Sequence, residues 1–556
     1  MRLAQVSIEN FRGIPRLDLE LDRLTVVIGE NNHGKTSLFD LLERCLGGAS
    51  AEDGSGWEYR DFRRDARGEV VGPIRVVLGF VRGGGLRGDS LSRRLFATAM
   101  APDDAGEPLL RLELTGQPGT GAMQTRFLDA RGAPLEVAGT DAVVRRIRQL
   151  HPVLLVRLNQ PPPEDELEWV SREAREDFDA SNGEDPLDAI TQVYHRLTRT
   201  RGAIPTAEVR RGLQAAGELR LRIEDGGGTW QSPMRRMLAR FLADTEGEGP
   251  ARITGAGSHS LGLLMVLGSL LEARGRAPLD EEATPLIAIE EPEVHLHPML
   301  LSSTWDVIES LQAQTLVTTN SGEFLSEVPL RHLRRLVRRE GRIEAFRLRE
   351  RTLSPDALRR VQYHVRAKRG GTLFARCWLL VEGETEYWLL RELAQVLGYD
   401  LEAEGVRCVE FAQCGVAPLV RLANDLGIAW HLLSDGDETG VAFAEDAARQ
   451  LEDRPREEHV THLERRNMEM LLWHHGFSDV YLRAAGIPIP DPESGEELRI
   501  PPRKAVERAI RAHSKPYLAL MVAEECGRRG ADSVPESLRY VIQMSVRLAR
   551  SAVDGG

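Results

Sequence analysis

Leu24-Thr25-Val26-Val27-Ile28 runs into Gly29-Glu30-Asn31-Asn32-His33-Gly34-Lys35-Thr36 and then into Ser37-Leu38-Phe39-Asp40-Leu41-Leu42. The first five residues are apolar or β-branched without a break, the pattern of a strand buried on both faces. The next eight fit G-x-x-x-x-G-K-[ST], and the last six begin a helix, so the motif stands between strand and helix as its chemistry requires. Backbone N–H groups of such a loop surround phosphate oxygens, and the helix N-terminus favours their charge. Lys35 is expected to reach the β- and γ-phosphates and Thr36 to ligate Mg2+. Gly29, Asn31, Asn32, Gly34 and Ser37 complete the nucleotide loop. An ordinary glycine-rich turn also opens helices, but lysine is scarce here: only Lys35, Lys368, Lys504 and Lys515 among 72 basic residues. Each lysine is therefore a candidate for a task that arginine does not do.

The chain has 556 residues, enough for roughly three or four domains. With 42% hydrophobic and 28% charged residues it reads as globular, which excludes disorder, collagen and mucin-like stalks. No apolar run reaches the ~18 residues of a membrane span, and the start lacks a signal-peptide core. Five cysteines without a CxxC spacing argue against a disulfide framework or a zinc cluster and fit a cytoplasmic protein. A net charge of −13 argues against a protein coated generally in nucleic acid, yet leaves room for a local basic surface.

Residues 3–11 and 17–21 alternate as strands, and further strands are expected at 74–80 and 109–114. Residues 143–250 read as mainly helical. A helix at 261–273 precedes a buried strand, Pro285 to Ile289, that runs into Glu290-Glu291-Pro292-Glu293; another strand covers Thr315 to Thr319. An apolar strand ending in acids is the second element of a P-loop ATPase. Glu290 is assigned to the Mg2+ shell and Glu291 to polarising the attacking water.

A second site follows. Leu379-Leu380-Val381-Glu382-Gly383-Glu384-Thr385-Glu386 reads as strand, turn and helix, and Leu432-Leu433-Ser434-Asp435-Gly436-Asp437 as a second strand ending in two acids. Carboxylates at the ends of neighbouring parallel strands can converge on one crevice, and hard Mg2+ or Mn2+ takes such oxygen ligands. Two ions about 3.5–4 Å apart can stabilise the attacking and leaving oxygens of a phosphodiester displacement. Singly, each acidic motif also fits a solvated strand end. Glu386 lies one helical turn beyond Glu382, and Glu469 is a further candidate ligand.

The motifs together resemble known families. The opening Ile8-Glu9-Asn10-Phe11-Arg12 and the Glu-Pro-Glu-Val-His-Leu-His-Pro run at 291–298 resemble ABC-type ATPases of the SMC and RecF kind. That resemblance puts Gly257-Ser258-His259-Ser260 at the signature position, where Ser258 would contact nucleotide on a partner subunit, and Asn320 at the switch position. Asparagine stands where the family usually has histidine and cannot take up a proton as imidazole does, so slow ATP turnover is expected. Glu382, Asp435 and Asp437 resemble the Toprim glutamate and DxD pair. ABC-type ATPase plus Toprim is the arrangement of the OLD (overcoming lysogenization defect) nucleases, and Lys515 resembles that family's C-terminal lysine, which would stabilise charge on the scissile phosphate.

The resemblance implies an α/β protein: an ABC-type P-loop ATPase with a helical insert, then a Toprim Rossmann-like parallel-sheet domain and a helical C-terminal segment. The expected plan is 1–140 ATPase N-terminal lobe, 141–250 helical insert or dimerisation arm, 251–345 ATPase C-terminal lobe, 346–376 basic linker, 377–480 Toprim, and 481–556 C-terminal helices. It further implies ATP and Mg2+ (Mn2+ or another divalent metal at Toprim), a homodimer or higher oligomer, DNA bound without sequence specificity, and DNA cleavage in phage defence or repair. The family includes the nuclease subunit of the Gabija anti-phage system and stand-alone proteins without a helicase partner, and the sequence leaves this chain open between them. Two rivals stay open: an ATP-driven DNA clamp without nuclease activity, and a topoisomerase or primase. For the latter pair, no recognisable nucleophilic tyrosine or template-binding module is found.

For DNA, residues 331–376 carry 15 Arg/Lys against 4 Asp/Glu. Arg334, Arg335, Arg338 and Arg339 are expected to neutralise phosphates, with a solvated or acid-paired linker as the equal alternative. Arg503, Lys504, Arg508 and Arg511 form a candidate second rim beside the Toprim site.

Overall fold

The computed structural model describes residues 1–47, 56–81, 91–102, 108–157, 188–193, 209, 211–216, 256–272, 279–294, 296–339, 341–368, 370–489 and 500–552. The chain divides into two compact units, Met1–Ala345 and Phe346–Gly556.

The first unit is built on β1 (Arg2–Phe11), β2 (Ile14–Glu20), β3 (Leu24–Ile28), β4 (Ile74–Val81), β5 (Met100–Pro102), β6 (Pro108–Gly116), β7 (Met123–Leu128), β8 (Pro134–Leu135), β9 (Val153–Arg157), β10 (Leu286–Glu290), β11 (Gln314–Thr318), β12 (Leu333–Arg339) and β13 (Arg342–Phe346). They lie in one sheet in the order β8-β7-β6-β4-β1-β2-β13-β12-β3-β11-β10-β9, with β5 beside β6. From β2 to β8 neighbours pair antiparallel, and from β12 to β9 they run parallel. Composition explains the contrast. β2 alternates, with Leu17 and Leu19 buried and Arg16, Asp18 and Glu20 exposed. β3, β10 and β11 are buried at every position, as parallel strands covered on both faces require.

Helix α1 (Lys35–Leu46) buries Leu38, Leu41, Leu42 and Cys45, the i, i+3, i+4, i+7 stripe of an amphipathic helix. Gly34 caps it in the left-handed region, φ 81°, where a Cβ would also lie 2.7 Å from the Ile14 side chain. The unit also contains helices α2 (Thr140–Leu150), α3 (Ala256–Glu272), α4 (Leu301–Ser310) and α5 (Gly322–Glu327).

Two expectations need correction. Val153–Arg157, inside the stretch expected to be mainly helical, is a strand, because Val-Leu-Leu-Val completes the parallel sheet beside β10; most of the expected insert at 141–250 lies outside the described residues. Leu333–Arg339 is not a link but strand β12, paired with β3.

The second unit carries β14 (Cys377–Val381), β15 (Val406–Glu410), β16 (Ala429–Ser434) and β17 (Val460–His462), all parallel, in the order β15-β14-β16-β17. Around them stand α6 (Pro355–Lys368), α7 (Glu384–Val396), α8 (Val416–Asp425), α9 (Glu438–Ala448), α10 (Met468–Leu472), α11 (Ser478–Ala484), α12 (Pro502–Ala512), α13 (Lys515–Arg529) and α14 (Glu536–Ser551). Every residue of β14 is buried. α7 and α13 pack side by side, and α14 packs on β14 and β16. This is a Rossmann-like parallel sheet followed by a helical C-terminal segment. Among the described residues no helix is long and apolar enough to cross a membrane, and all five cysteines are buried and free.

Two candidate active sites

In the first unit, β3, β11 and β10 end side by side. Register pairs Val27 with Thr318 and Thr318 with Glu290, so the phosphate-loop motif, the acids after β10 and the switch residues share one edge. Thr36 Oγ1 donates to Glu290 Oε1 at 2.5 Å. Lys35 Nζ donates to the Gly29 carbonyl and, at 3.2 Å, to that of Glu30. Burial lowers the Lys35 pKa, a shift that Glu291, Glu30 and Glu290 only partly oppose. Asn31 and Asn32 are exposed, and the Asn32 carbonyl accepts from Arg338 at 2.8 Å. Ser37 lies in the first turn of α1.

Glu291 adopts a left-handed backbone, φ 49°, and its N–H donates to Thr318 O at 2.9 Å. Its carboxylate accepts from Asn320 Nδ2, so the two residues expected to act on water and at the switch do meet. Glu293 accepts from Thr319 Oγ1 at 2.7 Å and from the Asn320 N–H at 3.0 Å. Burial, with Glu291 nearby, raises its pKa. The signature segment lies in the first turn of α3, one turn earlier than expected; the Ser258 side chain lies outside the described residues.

Sequence reading missed a charge chain behind this edge. Arg157 Nε donates to Glu290 Oε2 at 3.0 Å and another of its nitrogens pairs with Asp40. Arg12 joins Asp40 to Asp61, the latter at 3.0 Å, and Arg44 continues to Asp61 and Glu58 at 3.1 and 2.8 Å. Asp40 follows Thr36 by one helical turn, a legible signal. Arg157 was not legible, because its strand was taken for helix. The hydroxyl of Thr36 and carboxylate of Glu290 are the oxygen donors a hard divalent ion takes beside a nucleotide.

In the second unit, β14 and β16 are parallel neighbours whose ends run directly into Glu382 and Asp435. Asp437 caps α9, accepting from the Gly440 N–H at 2.8 Å. Glu386 reaches back to the Gly383 N–H at 3.1 Å. Glu469, only 3% exposed on α10, is paired at 2.8 Å with Lys515, the first residue of α13. The five carboxylates sense one another. Burial, then Glu386, Glu382, Glu469 and Asp437, push Asp435 up to about 7. Burial, then Glu469 and Glu382, push Glu386 up to about 7, against its backbone hydrogen bonds. Burial and Asp437 raise Glu382. Burial opposes the Lys515 ammonium, but its bond to Glu469 prevails and raises its pKa.

The structure therefore brings Glu382, Glu386, Asp435, Asp437, Glu469 and Lys515 to one place. Among the described residues no group of three or more His, Cys, Asp or Glu side chains is placed to hold a metal ion. The donor chemistry nonetheless suits hard divalent cations: carboxylates in excess of their one lysine, with Glu382, Glu386 and Asp435 raised in pKa, a cost that a cation would relieve. Nearby, Glu464 faces His475 at 3.6 Å.

The glycine between the two aspartates was also missed. A Cβ on Gly436 would lie 2.2 Å from the Arg465 carbonyl oxygen and 2.6 Å from that of Leu463, and the Gly436 N–H donates to Arg465 O at 3.0 Å. The loop before α10 thus seats directly on the aspartate turn.

The basic segment needs a further correction. Arg334 is 2% exposed, bound to the carbonyls of Glu20 and Leu333 at 3.0 and 2.9 Å and paired with Asp22 at 2.6 Å. Arg335 is buried, Arg338 binds the carbonyls of Gly13 and Asn32, and Arg339 faces Glu344 at 3.6 Å. Burial takes Arg334 and Arg335 out of any phosphate-facing rim, in line with the acid-paired alternative for Arg334, while Arg338 and Arg339 stay partly exposed.

A family model described as "Protein of unknown function (DUF2813)" matches residues 1–372, and one described as "Overcoming lysogenization defect protein-like, TOPRIM domain" matches residues 373–437. "Uncharacterized protein YbjD" of Escherichia coli (strain K12) is 36% identical over 584 residues, covering 100% of both chains. Among solved structures, the C-terminal region of the Burkholderia pseudomallei OLD protein is 18% identical, with a TM-score of 0.26 over 32% of this chain and 99% of that one. The SMC head domain from Thermotoga maritima is 12% identical, with a TM-score of 0.31 over 63% of this chain and 100% of that one. The chain belongs to the DUF2813 family, and its residues 373–437 match the Toprim domain of OLD-like proteins.

Proposed function

We propose that the protein is a divalent-metal-dependent DNA endonuclease or nickase, controlled by ATP that its head binds and slowly hydrolyses. The observation that carries this reading is the gathering of Glu382, Glu386, Asp435, Asp437 and Glu469 around Lys515. A divalent metal bound there would polarise the phosphodiester and supply a nucleophile at neutral pH. Glu382, Asp435 and Asp437 would hold it, with Glu386 and Glu469 completing the oxygen set. Lys515 would place its ammonium where charge develops on the scissile phosphate.

In the head, Lys35 would leave the Gly29 and Glu30 carbonyls for the phosphates, and Thr36 and Glu290 would hold Mg2+. Glu291 would orient water, held by Asn320. Dimerisation through the Ser258 segment and a role in phage defence or repair belong to the same proposal by resemblance alone.

The test is supercoiled plasmid incubated with full-length protein in Mg2+ or Mn2+, with and without ATP, beside Asp435→Ala and Lys35→Ala. Nicked or linear product that Asp435→Ala abolishes is the expected result. If Asp435→Ala cuts as well as the wild type, the Toprim nuclease reading fails and the clamp reading gains.

A further inference from the structure

Helix α12 divides its faces sharply. Ala505, Val506 and Ala509 are buried, while Lys504, Arg508 and Arg511 are exposed. At 100° per residue the three cations fall within about 60° of one another, nearly opposite the buried face. Their spacing covers about 10 Å of helix, the length of roughly three phosphates of one strand.

Among the described residues these cations have no acidic partner, unlike their neighbours. Arg503 is paired with Glu507. Arg483, Arg529, Arg547 and Arg550, elsewhere in the same unit, each hold an acid. The stripe is therefore a local excess of positive charge in a chain of net charge −13.

It also leads somewhere. α12 packs on α10, which carries Glu469, and on α13. Arg511 lies four residues before Lys515, whose ammonium is 2.8 Å from Glu469. At the same turn Tyr517 is 52% exposed and stacks on His513, ring centroids 5.3 Å apart and 30° from parallel. An exposed ring held by a neighbouring ring is a platform for an unpaired base, whereas bases inside a duplex have both faces covered by their neighbours.

We propose that Lys504, Arg508 and Arg511 with the His513–Tyr517 stack form a track for an unpaired nucleic-acid strand, phosphates on the cations and a base on Tyr517, running toward Lys515. This rests on the nuclease reading and narrows its substrate to frayed, flapped or single-stranded nucleic acid.

The test is fluorescence anisotropy of a labelled oligothymidylate of about 20 nucleotides and of its blunt duplex, with full-length protein in EDTA. Salt is varied from about 50 to 200 mM. Changing Lys504, Arg508 and Arg511 together to Gln should lower the slope of log affinity against log salt by about 2 on the single strand, about 0.7 per lost phosphate contact. Tyr517→Ala should weaken the single strand about tenfold and the duplex much less, and Tyr517→Phe should bind as wild type. An unchanged slope, or equal loss on both substrates from Tyr517→Ala, overturns the track. Plasmid cutting with an unchanged slope refutes the track while leaving the nuclease standing. A lowered slope with no cutting on any substrate supports the track and refutes the nuclease.

Discussion

Gly436→Ala is the sharpest test of how the Toprim turn is held. The new Cβ would meet the Arg465 carbonyl at 2.2 Å and the Leu463 carbonyl at 2.6 Å, where contacts below 3.0 Å essentially never occur. Relief requires one side to retreat by about 1 Å, and both sides are backbone. The Leu463 N–H donates to Ser434 O at 3.0 Å, and the Gly436 N–H donates to Arg465 O at 3.0 Å. A shift of that size breaks at least the second bond, about 1 kcal/mol, within a total overpacking cost of about 1–3 kcal/mol. For a unit of this size each kcal/mol lowers the melting temperature by about 2–4 °C. The displaced turn carries Asp435 and Asp437, so plasmid cleavage should fall about a hundredfold as well. Calorimetry and the nicking assay read the two effects separately. A Gly436→Ala protein that melts within about 1 °C of wild type would show that the loop and turn are not pressed together, and the reasoning would fail.

The metal-free fold should weaken with rising pH. Asp435 and Glu386 are pushed up to about 7 when folded, above their unfolded values near 4, so the folded state holds more protons between pH about 4 and about 7 and loses stability across that window. Mg2+ should therefore raise the melting temperature more at pH 8 than at pH 6; equal increments at both would count against the shared site. Arg157→Ala leaves Glu290 and Asp40 without their common cation and should cost about 1–3 kcal/mol by urea unfolding, discounted for partial exposure. A double-mutant cycle with Asp40→Asn that shows no coupling would remove the charge chain from the account. ATP turnover should be well below ten per second because Asn320 cannot shuttle a proton, and Asn320→His should raise it. A wild-type rate of tens per second in a steady-state phosphate-release assay would contradict that assignment.

Much of both sites was legible because their chemistry is written locally. The phosphate loop sits between a strand and a helix, and glutamate or aspartate closes mainly apolar, buried strands, at Glu290, Glu382 and Asp435. The failures share one cause: short apolar runs and charge runs are ambiguous until their neighbours are known. Val153–Arg157 looks like helix until β10 lies beside it. Arg334 looks like a phosphate contact until carbonyls and Asp22 are found around it.

By itself the sequence determined the identity of the elements. Period, turn residues and the order of motifs along the chain specify strand, phosphate loop, helix and acidic strand end, because each depends on residues within a few positions of one another. Tertiary structure alone decided which distant groups share an environment: Lys515 with Glu469, Arg157 with Glu290 and Asp40, Gly436 under the Arg465 carbonyl, and the exposed face of Lys504, Arg508 and Arg511. Burial, ion pairing and steric contact act through space over a few ångströms, and the sheet order that brings these residues together is set by packing of the whole unit.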